Sequence, residues 1–170
     1  MRVILEGIVT TINEGGTTNI APMGPCVDGT MSRLVLRPFR SCTTYANLKR
    51  LGEGVFHVTD DVELLARTAV GPLDQPPELI AADAVNGRIL ADACRWYAFR
   101  VVALDDTSER TKIECTVVDC GRFRDFFGFN RAKHAVIEAA ILATRIAILP
   151  AENILTEFER LSVIVQKTAG

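Results

Sequence analysis

The sequence predicts an α+β fold built on antiparallel strands. Residues 3 to 12 are β-branched and aliphatic, and the turn Asn13-Glu14-Gly15-Gly16 leads into a returning segment at 17 to 25. A second pair of strands, at 95 to 104 and 111 to 120, flanks a polar turn, and a long helical segment follows. Strands that return through short turns, with helices placed between and after them, indicate antiparallel α+β architecture rather than parallel βαβ units.

The composition sets the broad class of protein. The chain has 170 residues, 48% of them hydrophobic, and a net charge of −2, so it can bury a proper core in one domain, with room for a small appendage. The slightly acidic balance argues against nucleic acid as the main partner. The chain has five cysteines, two histidines and no C-x-x-C pair, so we expect no structural metal and mostly buried, free thiols.

The location is predicted from two patterns. No run of 18 apolar residues occurs, so no membrane-spanning helix is expected. The N-terminal apolar run is interrupted by Glu6 and is not followed by a cleavage pattern. A cytoplasmic protein is therefore expected. The sequence also contains neither a G-x-G-x-x-G motif nor a P-loop, the two glycine-rich patterns typical of nucleotide binding.

The middle of the chain alternates strands with short helices. Pro22 cannot donate to a ladder, so its strand is expected to be bent, bulged or at a sheet edge. Further strands are predicted at 31 to 37 and 55 to 59, and a helix at 44 to 51 that Gly52 ends. Asp60 or Asp61 caps a predicted helix over VELLARTAV, and the three prolines of 71 to 79 predict a loop.

The C-terminal part is predicted to be helical. Asn130 is a good N-cap for a helix over 131 to 149, closed by Pro150. Because residues 135 to 143 are apolar on nearly every side, this helix should be buried all round, against another element of the fold or in a dimer interface. A helix at about 152 to 161 and a short strand, SVIVQK, complete the prediction, which divides the chain into domains at 1–125 and 126–170.

The strongest electrostatic feature lies between positions 31 and 50, where five basic residues occur and no acidic one. Arg37 and Arg40 precede the hydroxyls of Ser41, Thr43 and Thr44 at a predicted helix start. Free N–H groups and the positive end of the helix dipole make such a place suitable for a phosphate. From the residues alone, the alternative is that a hydroxyl caps the helix and the arginines are simply solvated.

Several other groups have two interpretations. Arg131, Lys133 and His134 place positive charge at a helix start, which indicates either an anion across a dimer interface or pairing with carboxylates. His57 is expected to be a structural histidine rather than a catalyst. Core packing is favoured for two aromatic groups, one on a strand and one in a loop: Trp96, Tyr97 and Phe99, and Phe123, Phe126, Phe127 and Phe129.

Several motifs resemble a known family. The segment Thr44-Tyr45-Ala46-Asn47-Leu48 after a strand is similar to the phosphate-binding helix start of the flavin reductase superfamily. The segments TNIAPMG, LRPF and FGFNRAKHAVIEAAILATR together resemble a small, uncharacterised family of FMN-binding split-barrel proteins with a helical C-terminal portion. The resemblance covers most of the chain, and implies an antiparallel split β-barrel.

The resemblance also implies a ligand and a site. FMN would bind with its phosphate near Arg37, Thr43 and Thr44, supported by Asn47. Its ring would lie against the segment Asn19, Ile20, Ala21, Pro22 and Met23. The implied protein is a homodimeric FMN-binding flavoprotein, expected to be an oxidoreductase of unknown substrate and without an assigned catalytic residue. The alternatives are a non-catalytic flavin carrier and a binding module for another phosphorylated small molecule.

Overall fold

The computed structural model describes residues 3–169, which divide into two compact units. The first, called here the sheet unit, comprises the residues up to Thr59 together with Pro77–Asp125. The second, the helical unit, comprises Asp60–Pro76 together with the residues from Phe126 onward. The division predicted from the sequence differs in one respect, because it keeps 60–76 with the strands. The helix in that segment packs against a C-terminal helix, which is why it belongs to the helical unit.

The sheet unit is antiparallel throughout, and the predicted fold class is confirmed. Eight strands form one curled sheet in the order β1-β4-β5-β10-β9-β6-β2-β3, and β7 and β8 pair in a separate hairpin. The strands are β1 Val3–Ile4, β2 Gly7–Ile12, β3 Thr18–Met23, β4 Cys26–Val27, β5 Arg33–Leu36, β6 Glu53–Val58, β7 Leu79–Ala81, β8 Arg88–Leu90, β9 Arg95–Asp105 and β10 Lys112–Arg122.

The two predicted hairpins are confirmed. The first pairs β2 with β3 from Gly7↔Met23 to Ile12↔Thr18, and the Asn13 N–H closes its turn on the Thr17 carbonyl at 2.9 Å. The second pairs β9 with β10 over eleven residues each, with register shifts at Glu114/Cys115 and Val117/Asp119. The predicted strand at 3 to 12 is divided into β1 and β2. Pro22 lies on β3, an edge strand, as its missing N–H requires.

Strand β2 is buried at all six positions, so it is covered on both faces. On one face, Val9 joins the main core with Leu34, Phe56 and Phe99. On the other face lies the β7–β8 hairpin, where the Arg88 carbonyl accepts a hydrogen bond from the Thr10 hydroxyl. A smaller cluster that includes Val55, Val85, Ile89 and Ala98 fills the space under this hairpin.

The β7–β8 hairpin was missed in the sequence, where no strand is predicted between 71 and 95. Each of its strands has only three residues, too few for alternation to be visible. The pair Asn86-Gly87 is a hairpin signal within its turn, but the turn spans 82 to 87, longer than the two residues typical of that motif.

The first two helices match their predictions closely. They are α1 Thr43–Leu51 and α2 Val62–Val70. The α1 helix ends at Gly52, whose φ of 69° is the left-handed conformation that glycine adopts without strain. The α2 helix is capped by Asp61, whose carboxylate accepts from the Leu64 N–H at 2.9 Å.

The C-terminal helices correct two predictions. Helix α3, Arg131–Ala143, is capped by Asn130 as predicted but ends before Leu149. Residues 144 to 148 form tight turns, such as the one closed by the Ile148 N–H on the Arg145 carbonyl at 2.9 Å. Helix α4, Ala151–Thr168, runs through SVIVQK, so the predicted terminal strand is wrong. The β-branched run there resembles a strand, but Ile154 and Leu161 bury one helical face that continues to Ile164.

Helix α3 is only partly buried within the single chain. Its buried residues are Ala132, Ala135 and Ala140, whereas Val136 and Ile137 are half-buried. The prediction of burial on every side is therefore not met by the contacts of one chain. None of the helices within residues 3–169 combines the length and the apolar character needed to cross a membrane.

His57 is a structural histidine, as expected. Its ring is fully buried between β2 and β8, with Nδ1 3.1 Å from the Ile8 carbonyl and Nε2 3.1 Å from the Leu90 N–H. Nε2 must accept the Leu90 proton, so the neutral ring with its proton on Nδ1 satisfies both contacts. Burial lowers the pKa of His57 from 6.5 to about 4.

This histidine predicts a loss of stability in mild acid. Its pKa is lower in the folded chain, so the unfolded chain binds the proton first and stability falls as the pH drops from 6.5 towards 4. We expect denaturant unfolding to give a free energy about 2 kcal/mol lower at pH 5 than at pH 7.5. The variant His57→Gln should be less stable at neutral pH but should lose most of this slope. His134→Gln, which removes an exposed ring, is the control that should keep it. An unchanged slope in His57→Gln would contradict the assignment.

Candidate functional site

The start of α1 is capped by a thiol, so none of the neighbouring hydroxyls serves as the N-cap. Cys42 is the N-cap, and its Sγ accepts from the Tyr45 N–H at 3.5 Å. The alternative in which Ser41, Thr43 or Thr44 caps this helix is therefore wrong. The amide N–H groups of Thr43 and Thr44 donate to no described residue, and the first turn holds no acidic side chain. The helix start has free donors and no negative charge, which suits an anion.

The segment before α1 is held by the turn between β9 and β10. The Arg40 N–H donates to the Glu109 carbonyl at 2.9 Å, and the Thr111 N–H donates to the Pro38 carbonyl at 3.0 Å. Arg110 donates through Nε to the Arg37 carbonyl at 3.3 Å. These bonds fix the backbone from 37 to 42 against residues distant in sequence, so the position of the helix start is set before any ligand is present.

A charged cluster links α1 to the same turn. The Tyr45 hydroxyl donates to the Asp106 carboxylate at 2.6 Å, and Lys49 Nζ donates to the same oxygen at 2.7 Å. The hydrogen bond from Lys49, followed by that from Tyr45, lowers the pKa of Asp106 to about 2. Asp106 is therefore ionised at neutral pH, and its charge is paired with that of Lys49.

On its other side, α1 is tied to the β2–β3 hairpin by a polar network. Asn19 Nδ2 on β3 lies 3.1 Å from the Thr44 hydroxyl oxygen and 3.2 Å from that of Thr11 on β2. Asn47 Nδ2 on α1 donates to the same Thr11 oxygen at 3.0 Å and to Asn13 Oδ1 at 2.8 Å. Three of the predicted residues, Asn19, Thr44 and Asn47, are thus brought together.

Arg50 completes this network at the end of the hairpin. It donates to the Ile12 carbonyl and, at 3.4 Å, to Asn47 Oδ1. Because a guanidinium can only donate, it fixes Asn47 with its oxygen towards Arg50 and its amide protons towards β2. No role in the site was predicted for Thr11, for the turn residue Asn13 or for Arg50 of the basic segment. The available signal was a pair of threonines in an otherwise aliphatic strand.

The open edge of β3 exposes a defined set of backbone groups. Because Pro22 has no N–H, its pair with Ile8 cannot be a hydrogen-bonded pair of the ladder. The alternation then directs the backbone groups of Asn19, Ala21 and Met23 to β2, and those of Ile20 and Pro22 to the open edge. Of the five residues predicted to contact a ring, these two offer free backbone groups, whereas Met23 packs against the core.

Arg37 lies apart from the polar network. It shares no hydrogen bond with Asn19, Thr44 or Asn47, and its exposed side chain lines a cavity of about 330 Å³ with Asp105 and Lys112. Within residues 3–169, neither Arg37 nor Arg40 forms an ion pair. Arg37 thus has no described ion-pair partner, whereas the charge of Arg40 acts on the Asp106 carboxylate and helps to lower its pKa.

The other singled-out groups lie elsewhere. Lys133 donates to the Asp60 carbonyl at 2.7 Å, a backbone contact that neither interpretation anticipated. The His134 ring lies 5.8 Å from that of Phe129. Core packing is confirmed for Tyr97 and Phe99. It is wrong for the four loop aromatics, which are all exposed: Phe123, Phe126, Phe127 and Phe129.

Comparison with family models identifies the chain. Residues 5–123 match the N-terminal domain, and residues 130–170 the C-terminal part, of a family described as "Protein of unknown function (DUF447)". The chain belongs to this family. A search of curated proteins found no match.

Solved structures share the fold of this DUF447 protein. An FMN-bound DUF447 protein from Methanosarcina mazei superposes with a TM-score of 0.84 at 23% identity, over 100% of this chain and 89% of that one. The flavin reductase of styrene monooxygenase from Pseudomonas putida S12 has a TM-score of 0.59 at 13% identity, covering 72% and 82%. An NADH:FAD oxidoreductase from Streptomyces globisporus has 0.60 at 9%, covering 71% and 76%. These likenesses confirm the split-barrel fold.

The polar network should contribute measurably to the stability of this DUF447 protein. Replacing Asn47 with Ala removes one of the two amide donors of the buried Thr11 hydroxyl and the amide donor of Asn13 Oδ1. We expect the free energy of unfolding, measured with urea, to fall by about 2 kcal/mol. Asn86→Ala is the control, because that exposed side chain makes no described hydrogen bond. Equal effects of the two substitutions would show that the network adds no stability.

Proposed function

We propose that this protein binds FMN at the start of α1 and along the open edge of β3. The observation that carries the proposal is the arrangement at Thr44. Its hydroxyl does not cap the helix and is hydrogen-bonded to Asn19 of β3, and free N–H groups lie beside it at the helix start. The FMN-bound relative from Methanosarcina mazei, which has this fold over the whole chain, supports it.

The phosphate of FMN would lie at the helix start. Thr43 and Thr44 offer N–H and hydroxyl donors, and Arg37 and Arg40 offer positive charge outside the described salt bridges. Asn47 holds the helix start in register with β2 rather than meeting the phosphate itself, because both protons of its amide are used.

The isoalloxazine ring would lie along β3. Its pyrimidine edge carries both donors and acceptors, and the open edge presents the N–H and C=O of Ile20 and the C=O of Pro22. The side chains of β3 are half-buried, so the strand offers a surface that is neither fully exposed to solvent nor fully covered by the core. These residues fit the ring, and the bound flavin would supply the redox chemistry.

The proposed reaction class is oxidation and reduction of a small molecule by the flavin, with the substrate unknown. Structures of a flavin reductase and of an NADH:FAD oxidoreductase with this fold support that class. The second candidate is a non-catalytic flavin carrier. Bleaching of the bound flavin by NADH or NADPH at a useful rate would separate the two.

Recognition of the phosphate can be tested with two flavins. Arg37→Gln should raise the Kd for FMN roughly tenfold to a hundredfold, since a charge-assisted contact is lost, and should leave the Kd for riboflavin unchanged. Binding is measured by quenching of flavin fluorescence. Arg67→Gln, which alters an exposed arginine on α2, is the matched control. A wild-type chain that binds neither flavin would overturn the proposed function, and one that binds both equally would exclude phosphate recognition.

We further propose that the protein is a homodimer. Single-chain packing leaves large apolar side chains of the helical unit exposed, including Phe127 at 87%, Ile146 at 73% and Ile148 at 74%. Apolar groups exposed to this extent are typical of surfaces that self-associate.

Sedimentation should therefore give twice the chain mass of 18.6 kDa. The double variant Ile146→Ser/Ile148→Ser should raise the dissociation constant of the dimer by about tenfold or more, because it removes two apolar side chains from the proposed interface. Val102→Ser, which alters an equally exposed apolar residue of the sheet unit, should leave it unchanged. A monomeric wild-type chain at micromolar concentration would disprove the dimer.

A further inference from the structure

We infer that Thr11 is a positioning residue for the proposed flavin site, although it would not touch the flavin itself. The inference rests on the proposed function and deepens it. Thr11 is fully buried on β2, and its hydroxyl oxygen is shared by the amides of Asn19 and Asn47. This one atom therefore joins the strand proposed to carry the ring to the helix proposed to hold the phosphate.

The geometry gives this hydroxyl a role that its neighbours cannot take over. Asn19 Nδ2 lies 3.2 Å from Thr11 and 3.1 Å from Thr44, so one amide spans the two hydroxyls. Asn47 is fixed in orientation by Arg50, and turns its protons to Thr11 and Asn13. Without the Thr11 oxygen, the buried amide of Asn47 and the half-buried amide of Asn19 would each lose an acceptor, and each would have to move to find another.

Movement of either amide would alter the binding surface. If Asn19 turns away, the Thr44 hydroxyl loses the partner that orients it at the helix start. If Asn47 shifts, α1 loses its side-chain anchor on β2. The flavin would then have to restore the arrangement at the cost of binding free energy, so the loss of Thr11 should appear in affinity as well as in stability.

The chain provides a matched control in the adjacent residue. Thr10 is as fully buried as Thr11 on the same strand, but its hydroxyl donates in the opposite direction, to the Arg88 carbonyl of the β7–β8 hairpin. Thr10→Val and Thr11→Val therefore make the same chemical change in the same strand. Valine keeps the shape and the strand preference of threonine, so only the hydroxyl is removed.

The experiment measures the Kd for FMN, the visible spectrum of the bound flavin and the free energy of unfolding for each variant. Thr11→Val should raise the Kd at least about tenfold, the effect of losing roughly two hydrogen bonds, and should shift the bound spectrum. Thr11→Ser keeps the hydroxyl and should restore both to near the wild-type values. Thr10→Val should lower stability while leaving Kd and spectrum unchanged. Thr11→Ala replaces Thr11→Val if the latter does not fold.

The outcomes separate the two claims. If the wild-type chain binds FMN and Thr11→Val binds it equally well, the role of Thr11 is disproved and the proposed function stands. Equal losses of affinity in Thr10→Val and Thr11→Val would show a general effect of stability and would also overturn the inference. If the wild-type chain binds no FMN, the proposed function fails and this inference fails with it.

Discussion

The complete burial of β2 is the constraint on which the rest of the sheet unit depends. A strand covered on both faces cannot leave its polar side chains to water, yet β2 carries two adjacent threonines. Because neighbouring residues of a strand point to opposite faces, Thr10 and Thr11 require partners on different sides. The β7–β8 hairpin meets the first requirement, and the amides of β3 and α1 meet the second. Satisfying these hydroxyls thus places a covering hairpin on one face and a polar network on the other.

The same constraint explains what the sequence could and could not predict. The two long hairpins and α1 were predictable because strand propensity, turn residues and caps all lie within one short window. The β7–β8 hairpin was not, since its three-residue strands are stabilised by contacts such as Leu90 to His57, 33 residues away. The end of α4 was mistaken for a strand because local β-branching is outweighed there by a buried helical face.

The candidate site shows a similar division. The helix start with its hydroxyls and arginines was visible as a local pattern, and the family resemblance identified Asn19 and Asn47. The hydroxyl that joins these two amides was not visible, because it lies 36 residues from Asn47 in the chain. Cys42 was also missed as the cap, since thiols are poor acceptors and rarely take that role. Its weak bond leaves the hydroxyls of Thr43 and Thr44 for other partners.

Pro22 has a consequence for how the chain behaves at high concentration. An edge strand normally exposes a continuous ladder of donors and acceptors, onto which a strand from another molecule can add, and unchecked addition leads to aggregates. At the open edge of β3 the donor expected at position 22 is absent. A foreign strand would lose one bond in the middle of its ladder, whereas a small ligand that needs only an acceptor at that point would lose nothing. The same proline therefore deters strand addition while it leaves the edge open to a compact planar molecule.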